Sequence, residues 1–99
     1  MEKIELNYPA TGGQEKPALA GVVGSGDLEV LFKPETGRHL SITIRTSVDG
    51  SALRWQRLFD RIATARTFPA GQLTVHDFGA TPGVARLRIE QVFEEADHA

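Results

Sequence analysis

The sequence predicts an α+β fold, a mostly antiparallel sheet with two helices packed on one face, and three observations carry that expectation. Apolar residues in the first half of the chain recur at every second position. In the second half they recur at steps of three and four. One short alternating run then interrupts the helical half. Period two marks a half-buried strand, and a period near 3.6 marks an amphipathic helix. The resulting order is strands, helix, strand, helix. It buries every apolar stripe if both helices cover one face of a single sheet. The 99 residues suit one small domain, 1–99, and a hydrophobic content of 40% supplies one core, thin at this size.

The elements follow in order. Ile4, Leu6 and Tyr8 alternate with Lys3, Glu5 and Asn7. Pro9 is expected to end that strand, because it has no N–H to give a ladder. Thr11 to Glu15 reads as loop by composition. Ala18 to Val23 is small and apolar, Gly24-Ser25-Gly26-Asp27 is a turn, and Leu28, Val30 and Phe32 resume the alternation, so the two runs form a hairpin. After a second turn at Pro34 to Gly37, Leu40, Ile42 and Ile44 alternate with Ser41, Thr43 and Arg45.

Leu53, Trp55, Leu58, Phe59, Ile62 and Ala63 then give the stripe of a first helix, with Asp49 or Ser51 as its cap, ending before Pro69 and Gly71. Leu73 and Val75 belong to a short strand, Gln72 to Phe78. Thr81-Pro82 starts a second helix whose buried stripe is Ala85, Ile89, Val92, Phe93 and Ala96. Glu94, Glu95 and Asp97 crowd its C-terminal end, oppose the helix dipole and predict fraying there.

Composition excludes several classes of function. Charged residues make up 24% with a formal net charge of -2, which lacks the basic face of a nucleic-acid binder. There is no cysteine, so disulfides, thiolate metal sites and a protein thiol nucleophile are excluded. Any thioester chemistry needs a borrowed sulfur. Met1 to Glu5 lacks the basic-then-apolar order of a signal peptide, and no apolar run reaches membrane-spanning length. A soluble cytoplasmic protein is expected, with no nucleic acid or membrane among its partners.

Gly24-Ser25-Gly26-Asp27 admits two readings. It is a glycine-rich hairpin turn, or a place where Gly24 and Gly26 leave the Ser25 hydroxyl open to a modifying enzyme. A hydrolase elbow is excluded, because Val23 and Asp27 stand where G-x-S-x-G needs glycine. Neither a dinucleotide fingerprint nor a Walker-A pattern is present. His76 and Asp77 are strand neighbours pointing to opposite faces, so Asp77 cannot orient His76 in a triad; a local salt bridge or turn contact is expected of it. His39, His76 and His98 lack metal-ligand spacing. Arg54, Arg57 and Arg61 share one helix face. That face is solvated surface, or it docks an acidic partner or the phosphates of an attached nucleotide arm. Trp55 is read as core.

Val23-Gly24-Ser25-Gly26-Asp27-Leu28-Glu29-Val30-Leu31 resembles the attachment segment of the malonate decarboxylase acyl carrier protein, or delta subunit. The resemblance continues through Thr46 to Ser51 with Arg54-Trp55, and returns in His76 to Val84 and in Arg86 to Glu90. It implies a non-catalytic carrier of malonyl and acetyl thioesters. The matching serine, Ser25, would hold 2'-(5''-phosphoribosyl)-3'-dephospho-coenzyme A through a phosphodiester. Implied partners are the acyl transferase and decarboxylase subunits and a prosthetic-group transferase. The citrate lyase gamma subunit is a related carrier with the same kind of arm. The Asp-Ser-Leu pattern of ordinary acyl carriers is absent.

The implied chemistry is sound. Free malonate loses CO2 poorly, because the carbanion forms beside a charged carboxylate. A neutral thioester delocalises that charge as an enolate, and other subunits would stabilise the oxyanion. Two further classes stay open on the residues alone: a small assembly module without a covalent cofactor, and a small hydrolase using Ser25.

Overall fold

The computed structural model describes residues 1–11, 18–22 and 28–97, with the backbone alone described for 18–22. Eight elements follow one another: β1 (Glu2–Thr11), β2 (Ala18–Val22), β3 (Leu28–Pro34), β4 (His39–Thr46), α1 (Ala52–Ala65), β5 (Phe68–Pro69), β6 (Gly71–Asp77) and α2 (Pro82–Asp97). The strands form one sheet in the order β2-β3-β6-β4-β1-β5. The β1–β4, β2–β3 and β3–β6 pairs are antiparallel, and β4–β6 and the two-residue β1–β5 contact are parallel. Parallel neighbours cannot be joined by a tight turn, and here α1 supplies the crossover from β4 to β6.

The expected α+β architecture is what forms. Inward residues of the strands (Ile4, Val30, Phe32, Ile42, Ile44, Leu73 and Val75) share one buried cluster with Trp55, Phe59 and Ile62 of α1. Ala85, Ile89, Val92, Phe93 and Ala96 of α2 complete it, the same five positions the periodicity predicts. Phe32, Phe59 and Phe93 are fully buried, and each such side chain stabilises the fold by about 1.5–3 kcal/mol. Residues of opposite parity, such as Lys3, Glu5, Ser41, Arg45 and Gln72, are exposed on the uncovered face. Among the described residues no helix is long and apolar enough to cross a membrane.

Three local expectations are corrected, and one short strand is added. β1 continues past Pro9 to Thr11. The Ala10 N–H donates to the Arg38 carbonyl at 2.8 Å, and the Thr11 carbonyl accepts from Ala70 N–H on the other side at 2.8 Å. Pro9 therefore turns its nitrogen away from β4, toward the side where β5 begins pairing only at Ala10, so no ladder bond is lost. β5 itself has no periodicity to announce it, being two residues long. Leu53 is 57% exposed and Ala63 is also exposed, so the buried stripe of α1 narrows to Trp55, Phe59 and Ile62, with Leu58 half-buried. Finally, α2 runs on through Asp97. Arg66 donates to the Asp97 carboxylate at 2.9 Å and lies 4.8 Å above the Phe93 ring, opposing the unfavourable charge at that helix end.

The helix starts differ in how they are capped. Thr81 Oγ1 accepts from Val84 N–H at 3.2 Å, and Pro82 opens the helix as expected. Ser51 occupies the cap of α1, but its hydroxyl turns back to the Val48 carbonyl at 2.9 Å rather than to a helical amide. Asp49 lies instead near the terminal amine, at 3.9 Å.

Two outcomes are expected. Gly71 has φ +151° between Pro34 and Leu40, and a Cβ there would collide with the Lys33 carbonyl oxygen and approach Pro34 Cα to 2.9 Å. Gly71→Ala should cost roughly 2–4 kcal/mol, seen as a melting temperature lower by about 10 °C or more. Tyr8, the single tyrosine, donates to Asp60 Oδ1 at 2.7 Å. Burial, then that hydrogen bond and the Asp60 charge, push its pKa well above the ordinary phenol value. Its contribution is therefore complete below about pH 10, the ordinary unfolded value, and is lost as pH rises further. Phenolate absorbance should accordingly rise only as the chain unfolds, and Tyr8→Phe should abolish that part of the alkaline destabilisation.

Candidate functional site

Strand register brings one end of the sheet together. Glu2 pairs with Thr46, Thr46 with Asp77, Asp77 with Leu28, and Leu28 with Val22, so a single row crosses five strands. From this row leave the residues 47–51 that lead into α1, the residues 78–81 that lead into α2, and the residues 23–27 that join β2 to β3. Each of these stretches falls within a segment that carries the resemblance noted in the sequence. Ser25, Gly24 and Gly26 lie outside the described residues. Their flanks do not, and Val22 and Leu28 are ladder partners.

Asp77 ties this end together. It is 2% exposed, and both of its carboxylate oxygens accept hydrogen bonds. Oδ2 accepts from the Thr46 hydroxyl at 2.8 Å, while Oδ1 accepts from the amides of Gly79 and Ala80 at 3.0 and 2.9 Å. Thr46 Oγ1 in turn accepts from Val48 N–H at 3.0 Å, and the Asp77 carbonyl accepts from Ser47 N–H at 3.2 Å. Burying a carboxylate is costly unless donors surround it, and this one has three. The two chain segments entering the helices are thus fastened to each other through one residue. Glu2 adds a further tie, its Oε1 accepting from Ser51 N–H at 3.3 Å.

His76 stands on the opposite face of β6, beside Glu29 and Arg45 in the ladder, so it shares no hydrogen bond with Asp77. The turn contact expected of Asp77 is present; its bond to Thr46 was not foreseen. Among the described residues no group of three or more His, Asp or Glu side chains could hold a metal ion. Trp55 is core, 4% exposed.

Arg54, Arg57 and Arg61 are exposed along α1, as their spacing predicts. They line one groove of about 710 Å³ between α1 and the N-terminal part of α2, with Arg86 contributed by α2. Arg86 escaped the sequence reading, because only the packing of the two helices brings it across from the others. Val48, Leu53 and Phe78, exposed by 37%, 57% and 49%, add apolar surface to the segments at this end.

The profile of the malonate decarboxylase delta subunit (MdcD) family matches residues 15–96. This chain belongs to that family. The malonate decarboxylase acyl carrier protein of Klebsiella pneumoniae is 61% identical over 99 residues, covering 100% of both chains. Its counterpart in Pseudomonas aeruginosa (strain UCBPP-PA14) is 56% identical over 98 residues, covering 99% of each. A chain in the crystal structure of a Pseudomonas malonate decarboxylase hetero-tetramer in complex with malonate superposes with a TM-score of 0.90 at 54% identity. That superposition covers 97% of this chain and 99% of the other. The match to the delta-subunit family therefore takes in the hairpin, the Asp77 turn and both helices together.

Within this delta-subunit fold, Thr46→Val should keep the shape of the side chain and remove both of its hydrogen bonds. The expected loss is about 1–3 kcal/mol, with faster amide hydrogen exchange at Val48, Gly79 and Ala80 and little change at the far end of the sheet. Uniform exchange across the sheet would show that Thr46 does not hold these segments locally.

Proposed function

We propose that this chain is the acyl carrier subunit of a cytoplasmic malonate decarboxylase and that Ser25 is the residue on which its prosthetic arm is attached. The observation that carries the proposal is full-length identity of 61% with a malonate decarboxylase acyl carrier protein. The arm is a phosphoribosyl-dephospho-coenzyme A joined through a phosphodiester to the Ser25 oxygen. When bound, this group supplies the thiol that holds malonyl or acetyl as a thioester, which the cysteine-free chain cannot provide.

The residues of the chain have a positional task. Val22 and Leu28 hold the two ends of the segment containing Ser25 in one ladder row. Asp77 and Thr46 keep the neighbouring entries to α1 and α2 in place beside it. A tethered acyl group then samples a small volume around a defined origin, which raises its concentration at any active site that docks nearby. Both oxygens of Asp77 are committed to structural hydrogen bonds, and His76 faces away from it. The reacting groups belong to other subunits, one that transfers the acyl group and one that removes CO2. A separate transferase installs the arm.

The test is intact mass of the protein purified with its complex from a host that uses malonate. The wild-type chain should exceed its sequence mass by the arm, and Ser25→Ala should run at the bare chain mass with the complex inactive. An unmodified wild-type chain in an active complex would sink the proposal. Full activity of the Ser25→Ala complex would point instead to an assembly module.

A further inference from the structure

We propose that the groove between α1 and the N-terminal part of α2 binds a nucleoside diphosphate, and that in the modified protein its occupant is the nucleotide part of the arm carried by this same chain. The first ground is charge. Arg54, Arg57, Arg61 and Arg86 converge on one groove in a chain whose formal net charge is -2. Outside the groove Lys3 pairs with Glu5, and Arg66 with Asp97. Arg86 also has one, Glu90, at 3.1 Å. Among the described residues, Arg54, Arg57 and Arg61 make no ion pair and no acidic residue lines the groove. Like charges spaced three and four apart on a helix repel one another, and a bound anion would relieve that repulsion.

The second ground is shape and chemistry. A guanidinium matches a phosphate with two parallel hydrogen bonds, and several guanidiniums along one wall suit two linked phosphates better than a single carboxylate. Leu53, Leu58 and Pro82 give the same groove apolar surface against which a base can lie. Its volume of about 710 Å³ falls within the range of roughly 300–1,000 Å³ usual for small-molecule and cofactor sites. Gly83 lies in the first turn of α2, where glycine weakens a helix, and a Cβ there would meet nothing within 4 Å. Packing does not require that glycine, and its bareness leaves the backbone of the first turn open to a ligand.

Position supplies the link to the arm. Of the groove's lining residues, Gly50 belongs to the segment 47–51 and Pro82 directly follows the segment 78–81, both of which leave the same sheet end as residues 23–27. Naming the arm as the occupant rests on the Ser25 proposal; the affinity of the groove for a nucleoside diphosphate does not.

The experiment titrates ADP onto the unmodified full-length chain, made in a host that adds no arm, and follows backbone amides by NMR. Saturable shifts are expected at Gly50 and Gly83. Arg57→Glu combined with Arg61→Glu should weaken binding by at least about tenfold with helical content unchanged. Arg38→Glu, an exposed charge in the turn before β4, should leave it unaltered. Absence of saturable shifts would overturn the proposal, as would equal affinity in the double variant. Inorganic diphosphate binding as tightly as ADP would reduce the site to an anion patch and overturn it too. So would a double variant that fails to join its partner subunits while ADP leaves no mark, because the groove would then belong to an acidic protein surface. Protein shown by intact mass to carry the arm should bind added ADP at least about tenfold more weakly. Unchanged ADP affinity in that protein would refute occupancy by the arm. A chain without any arm would refute the Ser25 proposal and leave the ADP result standing.

Discussion

The hydrogen bond between the Thr46 hydroxyl and the Asp77 carboxylate, buried at the end of a parallel strand pair, is the contact on which the working end of this fold depends. β4 and β6 run side by side in the same direction, so both deliver their C-terminal residues to one place. Without a partner there, a carboxylate 2% exposed would be costly. With Thr46, Gly79 and Ala80 as donors it becomes a rivet between two segments that are far apart in sequence. Each of those segments feeds a helix, so the relative placement of α1 and α2 descends from it.

The hydrophobic layer fixes what lies behind that point. Helices on one face leave the other face of the sheet polar and open, and the apolar stripe of α1 is narrow enough to free Leu53 and the arginines for the outside. The fully buried stripe of α1 is Trp55, Phe59 and Ile62, with Leu58 half-buried beside it, and Leu53 lines the groove instead of the core.

Periodicity made most of the architecture legible. β3, β4, β6 and the stripe of α2 follow from alternation and from three- and four-residue steps, because burial on one face imposes those periods directly. Features fixed by register were harder to read. That Pro9 could sit inside a strand depended on which way its nitrogen pointed relative to a two-residue neighbour. Asp77 could be expected to make a turn contact, but its bond to Thr46 needs the parallel pairing of two strands joined across a helix. Arg86 joins the other arginines only through helix packing. Ser25 lies outside the described residues, and the fold contributes the frame on either side of it rather than the serine itself.

That frame has a mechanical consequence. Because Val22 and Leu28 are ladder partners, and Leu28 also pairs with Asp77, the two points at which the chain enters and leaves residues 23–27 are carried by the body of the sheet. When the subunit turns on its neighbours, both points turn together, and with them the origin of the arm proposed for Ser25.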